Sequence, residues 1–124
     1  MRRAVLLVDH GSRREEANRQ LETLAAQVRG RLPDRDVVTA HLELVRPGVA
    51  ESIDACVARG AVDIVIHPFF LAPGRHAAED LPGLALAGAA RHPGVSIRVG
   101  PALGLHDLVV EAVLARIAEA DRPR

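Results

Sequence analysis

The chain has 124 residues, room for one domain (1–124) with a real core and little to spare for a second. Hydrophobic residues make up 48% of it, nearly all aliphatic, and two Phe with no Trp or Tyr argue against a base-stacking nucleic-acid surface. Lys plus Arg and Asp plus Glu balance at 16 each, so no global field draws the chain to nucleic acid or an anionic membrane.

No apolar run approaches the roughly 20 residues of a membrane span, and the first residues lack a signal-peptide core, so a cytoplasmic setting is expected. Cys56 is the single cysteine, which excludes an intramolecular disulfide and a two-cysteine metal site. It shares the apolar side of a predicted helix with Val49 and Ile53, as a buried, inert thiol would.

In chain order, residues 3–8 read as a strand. The helix after it carries Ala17, Leu21, Leu24, Ala25, Val28 and Leu32 on one face. Ser12 with Glu15 reads as a capping box at its start, and Gly30 and Pro33 close it. A second strand is predicted over 36–45, followed by a helix with Pro47 in its first turn and Gly60 at its end. The β-branched run 62–66 suits a strand buried on both faces of a parallel sheet. Residues 68–75 read as a loop, and a third helix over 76–91 has a break or late start at Pro82–Gly83. A fourth strand over 95–99 precedes a helix from about His106, with Val109, Ala112, Val113 and Ile117 on one face.

Four β-α units predict a flavodoxin-like α/β fold: a four-stranded parallel sheet with helices on both faces. In the order 2-1-3-4, strands one and three are neighbours. Ligands of such sheets bind outside the carboxyl edge. His10, in V-D-H-G-S-R, and His76, in H-P-F-F-L-A-P-G-R-H, each lie just past one of these strands. With neighbouring strands ~4.8 Å apart, the two imidazoles can converge on one ion or one substrate. Neutral imidazole takes protons near neutral pH and binds Fe, Co, Ni and Zn. Two histidines leave coordination positions open, unlike a closed structural site. The alternative is a pair of loop histidines that cap helices or face water.

Glu43 and His41 share one face of the second strand, opposite Val38, Ala40, Leu42 and Leu44. Glu43, nearer the strand end, is a candidate third ligand or acid/base, and His41 is expected on a solvated edge face. His67 is expected to be structural, His92 a surface turn residue, and His106 a cap. Arg13, Arg14, Arg46 and Arg75 gather at the same edge and suit a polyanionic ligand. Neither G-x-G-x-x-G nor a P-loop pattern is present, so a nucleotide is not favoured.

The segments L-L-V-D-H-G-S-R-R-E-E-A-N, L-E-L-V-R-P, H-P-F-F-L-A-P-G-R-H-A-A-E-D-L-P and V-G-P-A-L-G-L-H-D-L span nearly the whole chain. Together they resemble the small, single-domain sirohydrochlorin chelatases, the type II chelatases of cobalamin and siroheme synthesis. The resemblance implies a lyase inserting Co²⁺ or Fe²⁺ (Ni²⁺ in some members) into sirohydrochlorin without ATP. It makes His10 and His76 the metal-binding residues and matches Glu43 to the strand-two glutamate of the family. Short members pair as homodimers around a shared cleft. The metal is then a substrate, and no organic cofactor is implied. The absence of a cysteine cluster argues against an iron–sulfur cluster. Sirohydrochlorin carries many carboxylates, which makes Ser12, Arg13, Arg46 and Arg75 the expected substrate contacts. Asp107 stands where a proline often follows the family histidine, so the resemblance assigns no site role to His106. A metal or tetrapyrrole carrier of the same fold is the competing reading, and a metal-free regulatory module is a third.

Overall fold

The computed structural model describes residues 2–72 and 74–123, with the side chains at 76, 77 and 78 outside that description. At its centre is β1 (Arg3–Asp9), whose residues from Ala4 to Val8 are all buried. It pairs in parallel with β2 (Arg35–His41) on one side and β3 (Asp63–Pro68) on the other, and β3 pairs in parallel with β4 (Ser96–Val99). The order is β2-β1-β3-β4, as expected. Side-chain alternation sends Ala4, Leu6, Val8, Ile64 and Ile66 to one face, against α2 (Val49–Ala58) and α3 (Arg75–Arg91). Val5, Leu7 and Val37 face α1 (Glu15–Arg31) through Leu21 and Ala25. Gly88 lets α3 approach closely: a Cβ there would stand 3.1 Å from Ile97 and 3.2 Å from Ile53. Cys56 is fully buried, and burial pushes its thiol up to about 11, so it is an inert packing group.

Several boundaries differ from the sequence reading. The first helix starts at Glu15 rather than at a Ser12 cap, because Asn18 engages both backbone groups of Ser12. It also runs through Gly30 to Arg31. The second strand ends at His41, because the chain turns back where Leu44 adopts φ 73°. Pro47 lies outside α2: its carbonyl accepts the His41 N–H (2.9 Å), and Gly48 is the N-cap. Pro82 does not break α3, which Leu81 and Ala85 anchor in the core. His92 is no bare turn residue but the C-cap of α3, 2.6 Å from the Asp54 carboxylate, which it holds below its usual range.

The fourth helix, α4 (Asp107–Asp121), follows β4 as expected, but its predicted apolar face is not buried and it makes no extended contact with the other described elements. The β3–β4 half of the α1 face is consequently uncovered. Val65 and His67, on that face of an interior strand, are only half-buried.

Two stability measurements follow. Gly83→Ala, in helix with open space around it, is expected to stabilise by ~0.5–1 kcal/mol, whereas Gly88→Leu, against Ile53 and Ile97, costs about 1–3 kcal/mol by urea titration. Burial also holds the His67 imidazole below its ordinary value of 6.5. The unfolded chain therefore takes up this proton more readily than the folded one. Its contribution to stability is full above that ordinary value and declines as pH falls through it toward the lower folded-state value. Between about pH 7.5 and about pH 5.5 the His67→Gln variant should lose less stability than the parent.

Candidate active site

At the carboxyl edge of the sheet, the loops after the four strands are tied together by backbone hydrogen bonds. The β1–β2 ladder continues past the strands, with the Leu42 N–H donating to the Asp9 carbonyl and the Glu43 N–H to the His10 carbonyl, both at 3.0 Å. Gly11 makes this possible. Its φ is +88°, and a Cβ there would stand 2.0 Å from the Glu43 carbonyl oxygen, so no side chain fits. The backbones of Glu43 and His10 are thus joined, and both residues are exposed at the edge. Glu43 reaches this position from a loop rather than from a strand face.

Below them, the Asp9 Oδ1 accepts the Gly11 N–H (3.0 Å) and lies 2.5 Å from the His41 Nδ1. His41 is 4% exposed, so the expectation of a solvated edge face is corrected: it is a buried, partnered histidine. Asp9 and His41 are register partners in the β1–β2 ladder, which explains the meeting.

The loop after β3 supplies the support for His10. The Phe69 N–H donates to the Val8 carbonyl (2.7 Å), and the buried Phe70 ring stacks on the His10 imidazole, centroids 4.3 Å apart. The loop after β4 is pinned to the same place, with the Leu103 and Gly104 N–H groups donating to the Pro68 and Phe70 carbonyls. His106 caps α4, its Nδ1 accepting the Leu108 N–H (3.0 Å).

The other expected site residues are placed unevenly. Ser12 lies in the loop after His10, where its Oγ accepts the Arg14 N–H at 3.0 Å. Arg13, beside it, is exposed. The exposed Arg46 guanidinium is held by the Glu51 carboxylate, which raises the one and lowers the other from their ordinary values. Arg75, the first residue of α3, pairs with Glu79 at 3.3 Å. His76 follows it in α3, and its side chain lies outside the described residues. Among the described residues, no three of His, Cys, Asp and Glu cluster as a closed metal site.

Sequence reasoning missed Phe70 behind His10, the Asp9–His41 contact and the Asn18 clasp on Ser12. It also missed that Leu44 and Leu105 stand in the open on the loops of this edge with Leu71, at 59%, 82% and 62% exposed. A groove of about 570 Å³ runs along the β2 edge among Glu22, Arg29, Thr39 and Glu51, and its lining includes neither His10 nor Glu43 nor these leucines.

The family model CbiX matches residues 4–120. The chain belongs to the CbiX family. It is 38% identical to the chloroplastic sirohydrochlorin ferrochelatase of Arabidopsis thaliana over 91% of this chain and 50% of that one. It is 33% identical to the sirohydrochlorin cobaltochelatase of Priestia megaterium over 95% of this chain and 38% of that one. The SirB structure from Bacillus subtilis with Fe³⁺ superposes with a TM-score of 0.88 at 31% identity, over 99% of this chain and 49% of that one. The CbiX structure from Marinobacter aquaeolei VT8 superposes at 0.82 with 25% identity, over 95% and 96%. The chain spans about half the length, or less, of the two curated chelatases.

Asp9→Ala leaves His41 buried without its partner, so a loss of about 1–3 kcal/mol is expected by chemical denaturation.

Proposed function

We propose that this chain is a sirohydrochlorin metal chelatase that inserts Co²⁺ or Fe²⁺ without ATP, with Ni²⁺ suited to the same donors. One observation carries this reading. The backbone approach at Gly11 bonds the Glu43 N–H to the His10 carbonyl, which brings an exposed glutamate and an exposed histidine, its ring stacked on Phe70, to one edge of the sheet. The names of the chelatase relatives support the substrate class.

Metallation places one M²⁺ in the macrocycle and releases the two pyrrole N–H protons. The neutral imidazoles of His10 and His76 hold the entering ion with positions left open for the ring nitrogens. Glu43 accepts a departing proton. Arg13 and Arg75 pair with peripheral carboxylates, and Arg46 does so by exchanging Glu51 for the substrate. The Ser12 hydroxyl, accepting from Arg14, still has its hydrogen to donate. Leu44, Leu71 and Leu105 give the flat face of the macrocycle apolar contact. In this reading 1–124 is one chelatase domain, working in the cytoplasm as a homodimer whose carboxyl edges form a shared cleft. It needs no organic cofactor or iron–sulfur cluster.

Absorbance of sirohydrochlorin mixed with Co²⁺ or Fe²⁺ tests the activity. The parent should give metallated product. His10→Ala and His76→Ala should each slow it by on the order of 10²-fold while the far-ultraviolet circular dichroism stays that of the parent, as expected of an exposed loop residue such as His10. Glu43→Gln should slow insertion while keeping tetrapyrrole binding. Binding of metal and tetrapyrrole without metallated product would establish the carrier reading instead.

A further inference from the structure

β2 is an outer strand of the sheet, and its edge forms the floor of the groove between α1 and α2. Peptide groups along a strand turn alternately toward the neighbouring strand and away from it. The Leu42 N–H donates to the Asp9 carbonyl of the β1 side, and the His41 N–H to Pro47 on the other, so Arg35, Val37, Thr39 and His41 turn their peptide groups outward. Two of the outward carbonyls are sealed: Arg29 Nη2 donates to that of Val37 at 2.7 Å, and the Ser52 hydroxyl to that of Thr39 at 2.8 Å. The outward N–H groups at the ends are also bonded, Arg35 to the Leu32 carbonyl (3.1 Å) and His41 to that of Pro47 (2.9 Å). Between them, the N–H groups of Val37 and Thr39 have no hydrogen-bond partner among the described residues. Both residues are buried, at 2% and 7% exposed, and both line the groove. Unpaired backbone donors in such a place are rare and call for a partner.

The charges of the groove call for the same kind of partner. Its carboxylates are engaged already: Glu22 accepts the Thr39 hydroxyl, Arg2 holds Asp36 at 3.1 Å, and Arg46 holds Glu51. Arg35 and Arg59, which line the groove too, pair with no carboxylate among the described residues. Arg35 is moreover the register partner of Arg3, which adds like charge rather than relief.

We propose that this groove binds a small molecule bearing two carboxylates. An added peptide strand needs acceptors as well as donors along the edge, and the acceptors are sealed. What remains is a surface of donors and guanidinium charge, which selects an anion. The two N–H groups are two residues apart, ~6.6 Å along a parallel strand. One phosphate cannot bridge that span, whereas the two ends of a short acyclic dicarboxylate such as glutarate can. At its upper end the groove reaches Pro47 and Glu51, which hold the His41 N–H and Arg46, so its occupant lies beside two supports of the carboxyl edge. The peripheral carboxylates of sirohydrochlorin share this chemistry, and the experiment separates the two sources. The site is apart from His10 and Glu43 and does not rest on the chelatase reading.

Amide ¹H–¹⁵N spectra of the parent, titrated with glutarate at constant ionic strength, read the two N–H groups directly. The Val37 and Thr39 cross-peaks should move together and saturate. Arg35→Gln and Arg59→Gln should each weaken binding by on the order of 10-fold with the parent's far-ultraviolet circular dichroism, since neither belongs to the core. Inorganic phosphate should bind more weakly than glutarate. A saturable response of the same two cross-peaks to sirohydrochlorin and not to glutarate would assign the paired carboxylates to the tetrapyrrole. Cross-peaks that neither probe moves, movement without saturation, a response to chloride or phosphate equal to that to glutarate, or arginine variants that bind as the parent does would overturn the site.

Discussion

The carboxyl edge of this molecule depends on the β1–β2 ladder being carried two residues beyond its strands. Two strands in register would ordinarily part where their core contacts end. Here the Asp9 carboxylate meets the His41 imidazole at the last rung, and the His10 and Glu43 backbones remain bonded beyond it. Gly11 permits the approach because the Glu43 carbonyl occupies the space of a Cβ. Burial of His41 makes the Asp9 contact costly to lose, and that cost fixes the register of two exposed residues that contribute nothing to the core themselves. The stability of the edge and the placement of His10 and Glu43 therefore share one cause.

A second layer of support comes from β3. Its continuation stacks Phe70 under His10 and receives hydrogen bonds from the loop after β4. An imidazole backed by an aromatic ring has fewer orientations to lose on binding an ion than one free in solvent. Around it the edge is mixed in character. Arg46 and Arg75 are engaged by Glu51 and Glu79, while Leu44, Leu71 and Leu105 stand exposed. A ligand with a flat apolar face and a carboxylate rim matches both kinds of surface.

The order of elements, the parallel sheet and the neighbouring of β1 and β3 were legible because strand and helix periods alternate cleanly along the chain. Placement of His10 beyond β1 was legible for the same reason. The boundaries were less so. Ser12 and Glu15 fit a capping box by type, but the Asn18 side chain outcompetes that arrangement, and no local pattern announces a bond spanning six residues. Alternation placed His41 on the solvated side because period alone carries no cross-strand register, and the register is what gives it Asp9. The apolar face of α4 was legible from its helical spacing, but the structure leaves it unburied, which periodicity alone does not reveal.

The most direct measurement of the central claim is an anomalous difference map from a crystal soaked in Co²⁺. The expected result is a peak at the carboxyl edge, within coordination distance of the His10 imidazole and on the side away from Phe70. A map with cobalt only elsewhere, for example in the groove along β2 or at His92 and Asp54, would contradict the assignment of this edge as the place where metal is delivered.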